Sequence, residues 1–449
     1  MRYENGRRAL VLGTVAACFS ALACAAPPNL VDIYHAARAS DPTLRSALAT
    51  LDITRQRIPE ARAGLLPVVA LNGDVNSTSA ATQFTGNPLI QRDASDRSWT
   101  LQLTQPLFRA ANFIANNQAE YIVASAEAQY QQAEQDLIVR VAQAYFAVNV
   151  AQDAISAADA QINALREQLN QVTQGVKYGT KAVTDVDDTN TRLASALSQR
   201  VAAQNDLEIA RSELQKITGA LYASLAPLGA NATLARPFPS EAQSWIDQAA
   251  GNNPGVLAQV SALRAAKLEV QRALSQHLPT FDLIISSGHS YSSHSLSTPD
   301  DYATHAIQHE IGVQISVPLF AGGAVVAKVS EAQSGVDKTD ADLETARRGA
   351  GSDAQRAFSG VLNGLAQVDA LTVAVNSGVN ALKGNQAGFR AGVRTNVDVL
   401  NAEQQLYAAR RDLSKARYDV LLQGIKLKAA AGILSEADLS ALNALFDLL

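Results

Sequence analysis

Two stretches near residues 70 and 100 alternate apolar and polar side chains with a period of two, the mark of half-buried β-strands. Val69, Leu71, Gly73 and Val75 share one face, and Ala70, Asn72, Asp74 and Asn76 share the other. Next, Trp99, Leu101 and Leu103 oppose Ser98, Thr100, Gln102 and Thr104. The same parity returns in Phe281, Leu283 and Ile285, and then in Ile311, Val313, Ile315 and Val317 opposite Gly312, Gln314 and Ser316. A sheet with one apolar and one polar face suits lipid outside and water inside. It suits an antiparallel sheet on a soluble core equally well.

Elsewhere the period is helical. Leu137, Val141, Ala144, Val148, Ala151, Ile155, Ala158, Ile162, Leu165, Leu169 and Val172 step by four and three without a break. Ala354, Ala357, Val361, Gly364, Val368, Leu371, Val375, Gly378 and Leu382 do the same. A 3.5-residue period demands a coiled coil, and Ala and Gly in the seam let the axes approach closely. The pattern predicts helices over roughly 30–63, 110–173, 185–219, 241–276, 322–387 and 397–432. A helix of about 60 residues is ~90 Å long, some three times a bilayer core, so these are not membrane spans. No apolar run of 18 residues follows residue 30, and no transmembrane helix is expected. Pro67, Pro106, Pro279 and Pro318 fall at the expected helix–strand junctions, where proline breaks a helix without disrupting a ladder.

The order of elements occurs twice. Leu65-Leu66-Pro67 returns as His277-Leu278-Pro279, Asp41-Pro42 as Asn253-Pro254, and Gln105-Pro106-Leu107-Phe108 as Val317-Pro318-Leu319-Phe320, each 212 residues on. Gly179-Thr180-Lys181-Ala182-Val183-Thr184-Asp185-Val186 matches Gly392-Val393-Arg394-Thr395-Asn396-Val397-Asp398-Val399, and Tyr145 matches Phe358, at 213. Matches at a nearly constant offset identify an internal duplication. The repeats are 26–225, with a hairpin at 67–107, and 241–434, with a hairpin at 279–319. A linker at 226–240 joins them, and a segment at 435–449 follows. The fold class is mainly α with a small β part. Four strands cannot close a barrel, and lipid does not tolerate an open edge. Several chains must therefore share one barrel if these strands lie in a membrane. Two chains would fill the lumen with side chains, whereas three leave a passage, which the small and polar inward residues favour.

Composition narrows the function. The 449 residues include about 80 alanines, over twice the average share. The net charge is −5 with no basic block, which disfavours nucleic-acid binding. Both cysteines, Cys18 and Cys24, lie in an N-terminal segment with Arg2, Arg7 and Arg8 before an apolar run from Ala9 to Phe19. Residues 1–25 read as an export signal with A-x-A cleavage sites, and Val15-Ala16-Ala17-Cys18 loosely resembles a lipidation box. No catalytic triad, HExxH, Walker A or dinucleotide fingerprint is present, so neither an enzyme nor a cofactor is expected. His289, His294, His305 and His309 cluster, but no carboxylate pattern orders them as metal ligands, and a solvated loop between two strands is favoured. Tyr291 and Tyr302 fit an interfacial aromatic belt. Tyr145 and Phe358 on the long helices read as core.

The duplicated unit resembles the TolC family of outer-membrane secretion and efflux channels over residues 29 to about 440. The resemblance rests on Asn29-Leu30-Val31-Asp32-Ile33-Tyr34, Ala36-Ala37-Arg38-Ala39-Ser40-Asp41-Pro42, Leu65-Leu66-Pro67, Gln105-Pro106-Leu107-Phe108, Tyr178-Gly179 and Gly392 through Leu400. It implies a homotrimer with a 12-stranded barrel in the outer membrane and an α-helical tunnel across the periplasm, closed at its inner end by coiled coils. It further implies an exit duct for type I protein secretion, multidrug efflux or both. The duct would open on docking with a periplasmic adaptor and an inner-membrane transporter of ABC or RND type. The competing reading is a periplasmic structural coiled coil with a soluble β cap.

The resemblance directs attention to the two helix–helix turns, 174–185 and 388–398. An inward Asp398 would form a ring of three carboxylates that filters cations. The family's second acidic ring falls at Asn401, a departure. Asp398 also suits the positive end of a helix, with Asn396 the better cap candidate. The family's gate contacts map to Thr184 and Asp185 on one turn and to Phe389 and Arg394 on the other, with Gln168 and Arg417 as the remaining pair. Phe389 stands where the family often has Tyr. A charge-assisted Arg394–Asp185 bond would hold the gate shut reversibly. The grooves near Gly179 and Gly392 would be the adaptor's docking surface.

Overall fold

The computed structural model describes residues 28–229 and 232–446. The export signal, Cys18 and Cys24 lie outside the described residues. The chain opens with α1 (Leu30–Ser40), α2 (Pro42–Arg55) and α3 (Arg57–Ala63), where the periodicity predicts one helix. The break is chemical: Pro42 has no N–H to donate, and Asp41, in an extended conformation, caps α2 by accepting from Leu44 N at 2.9 Å. The second repeat breaks at the matching place, between α6 (Ala242–Asn252) and α7 (Pro254–Leu274), with Asn253 as the cap.

Strands β1 (Val68–Gln83) and β2 (Leu89–Phe108) precede α4 (Ala110–Lys177) and α5 (Val183–Thr218). Strands β3 (Thr280–Ser292) and β4 (Thr304–Ser316) precede α8 (Ala324–Arg390) and α9 (Asn396–Ala430), and α10 (Glu436–Asn443) follows. The four strands form one antiparallel sheet in sequence order, so β2 pairs with β3 across the duplication and β1 and β4 remain as edges. At the base, the Arg109 guanidinium forks onto Asp282 at 2.8 and 2.7 Å, tying the start of α4 to β3.

Register aligns the apolar rows. Val69, Leu103, Ile285 and Ile311 lie side by side, and so do Asn72, Thr100, Gly288 and Gln308 on the opposite face. The apolar face ends in a row of Val75, Arg97, Tyr291 and His305, with the Tyr291 and His305 rings 4.7 Å apart. From Phe281 to Tyr291 the strand advances ~34 Å, which at a tilt of about 40° spans roughly the ~25 Å lipid-facing band of an outer-membrane barrel. This corrects the loop reading of the histidines: His289 lies in β3, His305 and His309 lie in β4, and only His294 is in the loop, paired with Asp301 at 2.9 Å. The loop was misplaced because hydropathy undervalues histidine on an interfacial strand.

Every seam position from Leu137 to Val172 is buried or half-buried, and so is every seam position from Ala354 to Leu382. At Gly364 an added Cβ would lie 2.6 Å from Val420 Cγ2, so the glycine sets how closely α8 approaches α9. By length and composition alone, one part of α8 is apolar enough to cross a membrane, and most of that part is exposed in the single chain. Alanine and valine repeated outside the seam account for this; Val326 and Val373 are among its exposed apolar residues. The main core lies around the middle of α4. There Tyr145, Phe146, Leu30, Tyr418, Leu439 and Phe446 gather both ends of the described chain, and Tyr145 Oη donates to Ala226 O in the linker.

Candidate functional site at the helix turns

The two turns are built alike. At the end of α4, Gly179 has φ +70°, and Thr180 N donates to Gly175 O at 2.8 Å. At the end of α8, Gly392 has φ +76°, and Val393 N donates to Gly388 O at 2.9 Å. Only glycine takes this left-handed conformation at no steric cost, which permits the reversal. Lys181 lies across Gly175, and Arg394 lies across Gly388, where an added Cβ would meet their Cγ atoms at 2.4 and 2.6 Å.

The starts of the following helices differ. Thr395 caps α9, and Asp398 closes the capping box by accepting from Thr395 N at 2.9 Å, while Thr395 Oγ1 accepts from Asp398 N at 3.2 Å. The Thr395 N–H, the Thr395 hydroxyl and nearby Arg394 hold the Asp398 carboxyl below its ordinary range against a small opposing effect of burial, so it is ionised at neutral pH. The matching position of α5 is Ala182, which has no side chain to cap with, so Asp185 has no box to close.

Asn396 is not the cap. It is buried, with 1% exposure, and bridges the two helical hairpins. Gln168 Nε2 donates to Asn396 Oδ1 at 2.7 Å, and Asn396 Nδ2 donates to Asp185 O at 3.1 Å and to Thr189 Oγ1 at 3.0 Å. Within the chain Gln168 therefore pairs with Asn396. Arg417 donates to Gly229 O at 2.7 Å in the linker, and it lies ~30 Å along α9 from the turn.

The other expected contacts divide. Phe389 is buried, and Lys181 Nζ stands 3.5 Å above its ring centre, joining the two turns by a cation–π contact. Lys181 was legible only as the duplicate of Arg394. Thr184 is exposed. Arg394 and Asp185 form no hydrogen bond or ion pair with each other among the described residues. Asn401 accepts from Arg192 Nη2 at 3.0 Å, and Arg192 also bonds Gln404, so the position of the missing second carboxylate is held by a cation from α5. No group of metal-ligating residues occurs among the described residues.

Beside this network is a cavity of about 60 Å³ lined by Glu167, Gln168, Gln171, Gln386, Phe389, Arg390 and Glu403, among others. Glu403 is 2% exposed, and its Oε1 has no hydrogen-bond partner. Burial pushes its carboxyl up to about 7. The sequence pattern hid it, since a lone Glu on a polar helix reads as a solvated face.

A family model described as outer membrane efflux protein matches residues 33–220 and 245–433, once for each repeat. The chain belongs to the outer membrane efflux protein family. The outer membrane protein TolC of Escherichia coli is 33% identical over 97% of this chain and 88% of its own length. The alkaline protease secretion protein AprF of Pseudomonas aeruginosa is 32% identical over 93% of this chain and 87% of its length. Among solved structures, the outer membrane protein VceC of Vibrio cholerae superposes with a TM-score of 0.76 at 19% identity, covering 90% of this chain and 96% of that one. Membership of this family places the chain in the outer membrane as a channel with a helical tunnel, and it favours the lipid-facing sheet over the soluble cap.

Proposed function

We propose that three copies of the chain close a 12-stranded barrel in the outer membrane and continue it as a helical duct. Proteins of type I secretion, small toxic molecules or both would leave through it. The observation that carries this is the sheet: one face is apolar, the other polar, and β1 and β4 are edges with no partner strand among the described residues. Lipid forbids bare backbone at an edge, so β1 of one copy pairs with β4 of the next. The exposed apolar residues of α8 meet a neighbour below. The relatives named for protease secretion support protein export. Native mass spectrometry of the detergent-purified protein, with planar-bilayer recording, tests the reading. A trimer with steady conductance is expected, and a monomer without conductance overturns it.

The inner end is the gate. Gln168, Asn396 and Thr189 link the hairpins within a chain, as do Lys181 and Phe389. Asp185 and Arg394, which form no pair with each other among the described residues, link neighbouring chains together with Thr184. Asp398 forms one ring of carboxylates on the axis, and Asn401 contributes no second. An adaptor docks in the grooves beside Gly179 and Gly392, and an inner-membrane transporter supplies the energy. Arg394→Ala raises single-channel conductance on this reading; unchanged conductance counts against the cross-subunit link.

A further inference from the structure

We infer that Glu403 is a proton-operated latch of the closed inner end: neutral, it lets α4 and α8 pack against α9, and ionised, it loosens that packing. The inference rests on the gate reading above. Glu403 is 2% exposed within a single chain, and Oε1 is already out of reach of solvent. Nothing reaches that oxygen unless the helices covering it move.

The surroundings offer no ion-pair partner among the described residues. From α4 the cavity receives Glu167 together with Gln168 and Gln171, and from α8 it receives Arg390 together with Gln386 and Phe389. On α9 itself Tyr407 is near, held toward its neutral form by burial and by Glu403. From α5, Asp185 and Arg192 approach α9 at Asn396 and at Asn401, not at Glu403. Arg390 makes no ion pair with Glu403 among the described residues, and burial pushes the Glu403 carboxyl up. A carboxylate formed here has no ion-pair partner among the described residues, its Oε1 is shut off from bulk solvent, and it regains full hydration only if the helices part.

The direction follows from linkage. The closed end holds the carboxyl near 7, and an open, hydrated end lets it return to its ordinary 4.5. Below 4.5 protonation favours neither state. Between 4.5 and 7 each unit of rising pH shifts the balance about tenfold toward opening, and above 7 the effect levels off. Gln168 is the physical link, because it lines the same cavity and holds Asn396.

The test is planar-bilayer recording of the intact channel from pH 5 to pH 8, with infrared titration of the same protein. Wild type is expected to open progressively up to pH 7 and to show a protonated-carboxyl band that titrates near 7. E403Q, permanently neutral and of the same shape, is expected to lose the band and to stay as closed at pH 8 as wild type at pH 5. A pH response retained in E403Q, or no carboxyl titrating near 7, overturns the latch. Asn396→Ala, recorded alongside, separates the two ideas. If it opens the channel while E403Q keeps the wild-type response, the latch fails and the gate stands. If it leaves conductance unchanged, the gate reading fails, and the latch with it.

Discussion

Gln168 donates to Asn396 across 2.7 Å of buried space, joining the helical hairpin of the first repeat to that of the second at the end far from the sheet. Asn396 in turn donates to Thr189 and to Asp185 O, so one amide serves three helices. Asn396→Ala removes the hub and leaves the buried Gln168 amide without its partner, while Thr189 keeps its bond to Asp185 O, at a cost of about 1–3 kcal/mol. A lower midpoint of thermal unfolding and a higher single-channel conductance are expected. A loss of stability without a change in conductance would make the amide structural only.

The two glycine turns give a second prediction. Gly179 and Gly392, at φ +70° and +76°, reverse the chain between long helices. Gly392→Ala puts a Cβ into left-handed backbone at about 1–2 kcal/mol, and Gly392→Asn costs less because asparagine tolerates that region. Nothing lies within 4 Å of the added atom at either glycine, so the cost is one of backbone conformation and not of crowding. Chemical denaturation of the three proteins should rank them glycine, asparagine, alanine.

Acid should loosen the junction of α1 and α2 with α4. Asp41 is 2% exposed and meets Arg140 Nη2 at 2.7 Å. Burial drives its carboxyl upward, but the Arg140 guanidinium and the Leu44 N–H outweigh it, and the carboxyl sits below its ordinary 3.8. A depressed carboxyl stabilises the fold above the unfolded value and loses that contribution as pH falls through the folded one. Wild type should therefore weaken below about pH 4. Arg140→Ala should lose stability already at pH 7. The Arg140 side chain is 36% exposed, so the loss is about 2 kcal/mol, below that of a fully buried pair. Unfolding followed by circular dichroism from pH 3 to pH 8 checks both statements.

Strand parity is tested by two arginines. Ile311 lies in the apolar row and Gln308 in the polar one. Ile311→Arg should destabilise the assembled barrel by about 2–4 kcal/mol if placed near the bilayer midplane, while Gln308→Arg should assemble normally and reduce cation conductance. Equal yields of folded trimer from both variants would remove the assignment of the outer face.

The periodicities alone determined the α and β content, the duplication, the two seams and the two faces of the sheet, because burial must recur every two residues in a strand and every 3.5 in a coiled coil. They could not say which helices would end early. The breaks at Asp41-Pro42 and Asn253-Pro254 were visible as a repeated motif but not as helix ends, since the apolar pattern runs through them. Only the tertiary structure decided who meets whom. Asn396 reads as a helix cap until three helices converge on it, and nothing in the pattern singles out Glu403 until the packed helices bury it. Pattern records how often a residue faces inward; partnership depends on distances between segments far apart in the chain, and these are set when the helices pack.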